Sequence, residues 1–246
     1  MNKALTYHCQ QLQPLSDRIW RLHLTPDDKA ISFKAGQYIE LGLPDGDFKP
    51  FSIANAPLAG HTLELHICHT HDNPFTVKLL AYLATSDKVF IRGPFGDAIY
   101  PPHDDRPLLL LAGGTGFAPI KAIIEQALAH GDSRPMHLFW AARAVNEHYD
   151  HELVSHWAQC VPQFQYTPVL PSDATPADWL FATGLLDEAV IKQYPDVSQH
   201  CIYAFGPFPL IWHLQKQLAT HGLAPHQFLS DATQVDDTDD GKEGEK

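Results

Sequence analysis

The residues with the clearest chemical promise lie in one run, Pro107 to Leu128, reading PLLLLAGGTGFAPIKAIIEQAL. Gly113, Gly114 and Gly116 leave room for a ligand to approach the backbone closely. A helix begun just after them aims its free N–H groups, and the positive end of its dipole, at a phosphate or pyrophosphate. The spacing narrows the ligand. No Gly-Lys-Ser/Thr ending is present, which argues against nucleotide triphosphate hydrolysis. The dinucleotide fingerprint G-x-G-x-x-G fits Gly114-Thr-Gly116-Phe-Ala-Pro119 except for proline in the third place. An ordinary glycine-rich turn in an α/β domain would use the same residues, so the loop alone leaves both readings open.

The elements that would position this loop are legible around it. Leu108 to Ala112 is a short apolar run of the right length for a strand buried on both faces. Phe117, Ile120, Ile124 and Leu128 then recur at helical spacing, with Lys121 and Glu125 on another face. Pro119 falls in the first turn, where its missing N–H costs nothing. Further strands fit at Met136–Ala141, Gln165–Val169 and Cys201–Phe205, with helices at about Ala118–His130, Tyr149–Gln159, Leu185–Tyr194 and Pro209–His221. Such alternation implies a doubly wound, Rossmann-like parallel sheet, which binds ligands at the carboxyl ends of its strands. Gly113–Gly116 and Gly206-Pro207 both lie at such ends.

The first hundred residues read differently. Trp20, Leu22 and Leu24 alternate with Arg21, His23 and Thr25, and Ile39, Leu41 and Leu43 alternate with Glu40 and Gly42. Leu63, Leu65 and Ile67 alternate with Glu64 and His66. Period two, bounded by Pro-Asp-Asp, Pro-Asp-Gly and Ala-Gly turns, marks half-buried antiparallel strands. Others fit at Pro50–Asn55, Asp87–Arg92 and Asp97–Tyr100, with one helix at about Pro74–Ala84. Many short strands and one helix suggest a small closed barrel. The expectation is two domains: an antiparallel β-barrel over residues 1–102 and an α/β parallel-sheet domain over 103–231. Pro101-Pro102-His103-Asp104-Asp105 links them. Residues 232–246 form an acidic tail.

Composition sets outer bounds. A chain of 246 residues with 44% hydrophobic content can bury two cores. The net charge of −12 argues against nucleic acid as a partner. The last twelve residues hold six acids and two lysines, cannot bury a core, and are expected to be disordered. No apolar run approaches the ~18 residues of a membrane span, and the N-terminus lacks a signal-peptide apolar core, so a cytoplasmic location is expected. Cys9, Cys68, Cys160 and Cys201 are scattered, with no zinc or iron–sulfur spacing.

A barrel followed by a sheet that opens with GGTGFAP resembles the ferredoxin–NADP reductase superfamily, and in pattern its short bacterial members, the NAD(P)H:flavin oxidoreductases. The likeness runs over nearly the whole chain, from about Leu5 to Asp231. In Lys49-Pro50-Phe51-Ser52-Ile53-Ala54-Asn55 it resembles the family's Arg-x-Tyr/Phe-Ser strand, which implies that Phe51 lies beside the flavin ring and Ser52 approaches flavin N5. Lys49 stands where the family has arginine. Leu65-His66-Ile67-Cys68 resembles the strand whose backbone holds the flavin, and Arg92-Gly93-Pro94-Phe95-Gly96 the turn that closes the barrel. The resemblance implies that Gly113, Gly114, Thr115 and Gly116 hold NAD(P)H, with Thr115 near the nicotinamide. Proline in the third place is what this family has. Phe205, Gly206 and Pro207 resemble its Cys-Gly-Pro segment, with phenylalanine for cysteine. Phe228 to Ala232 is similar to the flavin reductase ending, but Thr233 and Gln234 stand where an aromatic residue normally follows. Arg143 follows the second sheet strand, where the adenosine end of the nucleotide usually lies; a solvated arginine fits equally.

Other chemistry is weakly supported. His66, His69 and His71 lie close together, but Asp72 is the nearby carboxylate and no metal is expected. His151-Glu152 with His156 misses the H-E-x-x-H zinc pattern by one residue. No G-x-S-x-G elbow is present. The sequence therefore reads as a flavin (FAD or FMN) oxidoreductase using NAD(P)H, with Ser52 as its catalytic residue. Electrons leave as reduced free flavin or pass to a separate redox partner protein, as in an FAD-containing reductase subunit serving an oxygenase or haem protein. A flavin-binding module without turnover is the alternative of another class.

Overall fold

The structure, a computed structural model, describes residues 4–57, 61–101 and 104–231. Its first half is a six-stranded antiparallel sheet built from β1 (Leu5–Pro14), β2 (Ile19–Pro26), β3 (Tyr38–Gly42), β4 (Phe48–Ser52), β5 (Leu63–Cys68) and β6 (Lys88–Phe95). The order is β4-β3-β6-β1-β2-β5. A bridge from Ile53 to Leu65 brings the two outer strands together, so the sheet closes as the alternating patterns predict. Tyr7, Leu22, Leu24, Ile39, Leu41, Ile53, Leu65, Ile67 and Ile91 fill the interior. Helix α1 (Pro74–Leu83) plugs one end with Phe75 and Leu79, its first turn capped by Asn73, which accepts from the Thr76 N–H at 3.2 Å. Pro50 is tolerated in β4 because that strand is an edge of the hydrogen-bonded ladder.

Two expectations fail in this half. β1 has no counterpart in the sequence reading, because a bulge between Cys9 and Gln11 breaks its period-two pattern. The strand expected at Asp97–Tyr100 does not form. That segment leaves the barrel instead: Tyr100 N–H donates to the Ala35 carbonyl at 3.0 Å, and Tyr203 Oη donates to the Ile99 carbonyl at 2.6 Å.

The second half is an all-parallel sheet of β7 (Leu108–Gly113), β8 (Met136–Ala141), β9 (Phe164–Leu170), β10 (Ala182–Thr183), β11 (Cys201–Phe205) and β12 (Phe228–Leu229). Its order is β10-β9-β8-β7-β11-β12. Leu108, Leu110 and Ala112 face a core shared with helices α2 (Phe117–Ala129) and α3 (His151–Cys160). Leu109 and Leu111 face the opposite core, shared with α4 (Leu186–Gln193) and α5 (Phe208–Ala219). That is why the β7 run is apolar throughout. From β7 the chain builds outward to β10, then crosses back to β11 on the other side of β7. The switch point lies between β7 and β11, where a doubly wound sheet opens its crevice.

The halves are not independent bodies. Ala35, Ala98 and Tyr100, from the barrel and the segment leaving it, belong to the core under α2. Part of the expected linker, residues 102–103, and the acidic segment 232–246 lie outside the described residues.

Candidate active site

The switch point opens into a cleft of about 1150 Å³ running between the barrel and the parallel sheet. That exceeds the ~300–1,000 Å³ of a single small-ligand pocket. On the barrel side β4 ends at Ser52, opposite Tyr38 in the ladder with β3. Lys49, Phe51 and Ser52 line the cleft together with His66 and Cys68 of β5. On the sheet side Gly113, Gly114, Thr115 and Gly116 form one lip and Phe205, Gly206 and Pro207 the other.

Glycine is required where these lips meet. A Cβ on Gly116 would lie 2.0 Å from the Phe205 carbonyl oxygen. Gly114 has φ +54°, and no atom lies within 4 Å of where its Cβ would stand. The indole of Trp140 donates to the Gly114 carbonyl at 3.0 Å and stacks on Phe117 at 4.1 Å between centroids, which holds the loop from behind. Apart from Thr115, the loop presents backbone to the cleft.

A buried polar network backs the barrel wall. Burial alone would raise the Glu64 carboxyl, but the hydrogen bond from His66 and the charges of Lys121 and Arg21 outweigh it and hold the group well below the usual range. Glu64 is therefore ionised, and Nε2–H of His66 donates to it at 2.8 Å. Burial pushes the Tyr149 hydroxyl well up, so it keeps its proton and donates to His66 Nδ1 at 2.9 Å. Burial likewise lowers the His66 pKa. The two bonds fix a neutral Nε2–H tautomer in the cleft wall. Arg21 pairs with Asp150 at 2.6 Å, across the two halves.

Asp231 lines the same cleft. Burial, and then the charge of Asp97, push its carboxyl up to about 6. Its Oδ1 is buried without a hydrogen-bond partner. Among the described residues no group of three or more His, Cys, Asp or Glu is arranged to hold a metal ion. No helix among them is long and apolar enough to cross a membrane.

Comparison with known proteins agrees with this two-part site. Residues 13–100 match the oxidoreductase FAD-binding domain family and residues 110–216 the oxidoreductase NAD-binding domain family. The NAD(P)H-flavin reductase of Vibrio harveyi is 31% identical over 220 residues, covering 87% of this chain and 92% of that protein. The chain belongs to the ferredoxin–NADP reductase superfamily. Another relative in it, the CDP-6-deoxy-L-threo-D-glycero-4-hexulose-3-dehydrase reductase of Yersinia pestis, is 35% identical over 214 residues, covering 87% of this chain. This chain spans 63% of that relative's length. The crystal structure of an Amycolatopsis cytochrome P450 reductase superposes with a TM-score of 0.84 at 28% identity, over 92% of this chain and 68% of that one. As in the rest of the superfamily, a flavin-binding antiparallel barrel precedes an NAD-binding parallel sheet.

The cleft itself fits both groups of this reductase superfamily. Its glycine lip, Thr115 apart, is backbone at a helix N-terminus, the kind of end that suits a phosphate, and its volume has room for two ligands side by side. Of the residues expected from sequence, thirteen line it: Lys49, Phe51, Ser52, His66, Cys68, Gly113, Gly114, Thr115, Gly116, Arg143, Phe205, Gly206 and Pro207. Ile53 and Ile67 do not. Their side chains fill the barrel core, because neighbours along a strand face opposite ways, and only their backbone is left for a ligand. Arg143 sits on the rim, its side chain 65% exposed and 3.3 Å from Glu147. Three functional candidates were not read from the sequence as such: Asp231, Glu64 and Lys121. For Lys121 the sequence holds no signal of this, since Lys121 and Glu125 at i, i+4 also suit the solvated face of a helix.

Proposed function

We propose that this protein transfers a hydride from NAD(P)H to a flavin bound in the same cleft. The observation that carries the reading is that one continuous cleft is lined by Ser52 from the barrel and by Gly113–Gly116 from the sheet. A flavin supplies the hydride acceptor when bound, and the chain's own residues do the rest. Phe51 and Ser52, with the backbone of His66 to Cys68, hold the flavin ring. Ser52 hydrogen-bonds where charge develops as the ring is reduced. Gly113 to Gly116 and the lip at Phe205 to Pro207 hold the dinucleotide, with Thr115 toward the nicotinamide. Arg143 lies toward the adenosine end. Lys49, on the rim 3.5 Å from Asp47, supplies a cation for a flavin phosphate. Asp231 keeps a proton near the cleft up to about pH 6.

A second reading has its own support. Relatives include a reductase component of terephthalate 1,2-dioxygenase from Comamonas, 31% identical over 212 residues, and the Amycolatopsis P450 reductase. By that reading the flavin is resident and its electrons pass to a separate redox protein. One experiment separates the two. The visible spectrum of freshly purified protein is recorded, and NADH and NADPH oxidation is followed with and without riboflavin, FMN or FAD. A colourless protein that reduces added flavin supports flavin as substrate. A yellow protein with stoichiometric flavin supports the reductase-subunit reading. Failure to oxidise either nucleotide with any flavin overturns both.

A further inference from the structure

Helix α2 starts directly behind the Gly113–Gly116 loop, and one turn in it carries Lys121, which is only 4% exposed. A buried ammonium is costly unless its donors are all used. Here they are. Lys121 Nζ donates to Glu125 Oε1 at 2.7 Å, to Glu64 Oε2 at 3.0 Å and to the Ala54 carbonyl at 3.2 Å. The other Glu125 oxygen accepts from the Ala56 N–H at 2.9 Å. Ala54 N–H in turn donates to the Glu64 carbonyl at 2.7 Å. Ala54 and Ala56 follow closely on Ser52, so the strand end that carries Ser52 and the helix that carries the glycine loop are gripped by one pair of side chains.

Stability does not demand such a grip. Apolar side chains of similar volume pack across an interface as well as a buried ion pair, and often better. What the charges add is direction: three acceptors around one ammonium set how far α2 sits from β5 and how it is turned. Hydride transfer is sensitive to that placement, since reacting atoms must approach to about 3–3.5 Å and a 1 Å error costs about 100-fold.

We propose that Lys121 is a positioning residue, setting the separation between the Gly113–Gly116 loop and Ser52 and hence between hydride donor and flavin. This rests on the reading of the cleft as a joint dinucleotide and flavin site. Its role is confined to the approach of the two halves, and flavin affinity, which depends on the barrel, does not draw on it.

Lys121→Met alone would leave the Glu125 carboxylate without its cation, whereas Glu64 keeps Arg21 and His66, so the decisive variant is Lys121→Met/Glu125→Gln, which leaves the His66 wall intact. Lys121→Arg keeps a cation in place. Three quantities are read: single-turnover flavin reduction by NADH and NADPH, flavin affinity by fluorescence titration, and amide hydrogen exchange at residues 53–57 and 113–118 in ligand-free protein. In the double variant, reduction is expected to fall about tenfold or more and exchange to rise in both segments, while flavin affinity stays within about twofold. Lys121→Arg is expected to recover most of the rate and protection. A double variant that matches wild type in rate and exchange overturns the proposal, as does a rate loss mirrored by an equal loss of flavin affinity. Wild-type protein that reduces no flavin would instead remove the hydride-transfer reading, a result distinguishable from either.

Discussion

Gly116 and Phe205 stand so close that a Cβ on the first would meet the carbonyl oxygen of the second at 2.0 Å. The contact joins the carboxyl ends of β7 and β11 at the switch point, and the obstacle is backbone, which cannot rotate away. Gly116→Ala should therefore part the two lips at a cost of about 1–3 kcal/mol, the usual range for overpacking. The expected result is a lower melting temperature and a raised KM for NAD(P)H with unchanged flavin affinity. Thermal melts and steady-state kinetics check it; an unaltered KM would mean that the lips do not hold the dinucleotide.

Ser52 closes β4, opposite Tyr38, and lines the cleft. On the proposed reading, its hydroxyl strengthens a bond only as the flavin gains charge. Ser52→Ala should slow flavin reduction by roughly 10- to 100-fold, on the scale of one hydrogen bond to a charged group, and leave flavin binding nearly unchanged. Stopped-flow reduction at wild-type speed would take Ser52 out of the mechanism.

Asp231 gives a pH signature. Its carboxyl titrates near 6 in the folded protein, against an ordinary unfolded value near 3.9. The folded state thus holds the extra proton between about pH 4 and 6, and stability falls as pH rises through that window. Asp231→Asn cannot ionise, so it should be stabilised relative to wild type above pH 6 by on the order of 2 kcal/mol, with the two converging near pH 4. Melting temperatures at pH 4 and 7.5 decide; parallel curves would mean that burial does not perturb this group.

Lys49 stands on the rim, half exposed, with Asp47 as its neighbour. An arginine offers a planar fork to a phosphate where lysine offers a hydrated point charge. Lys49→Arg should tighten FMN or FAD by about 1 kcal/mol, or roughly fivefold, and leave riboflavin unaffected. Equal tightening of riboflavin would show that residue 49 does not face the phosphate.

The two halves were legible because their side-chain periods differ, two in the barrel strands and 3.6 in the helices flanking the sheet. β8 and β11 fall where the apolar runs put them, at Met136–Ala141 and Cys201–Phe205. What failed has local causes. The bulge in β1 scrambles its alternation, and Ala98 and Tyr100 are apolar because they serve the neighbouring core, not because they form a strand. Lys121 and Glu125 stand on a helical face that the sequence shows to be polar. Nothing in a period of 3.6 tells whether water or another domain covers such a face. Asp231 is similar: its perturbed carboxyl follows from burial, which is a property of the assembled rim and not of its neighbours in the chain.

Ala35, Ala98 and Tyr100 have a consequence for how this protein can be taken apart. Their side chains complete the interior of the half that follows them in sequence. Splitting the chain near residue 102 would open a hole under α2 and leave apolar surface on the severed barrel in contact with water. The two halves are therefore expected to unfold together, although each has its own sheet. A chimaera that swaps barrels between reductases must therefore match the incoming residues at these three positions to the host sheet, or carry the sheet along.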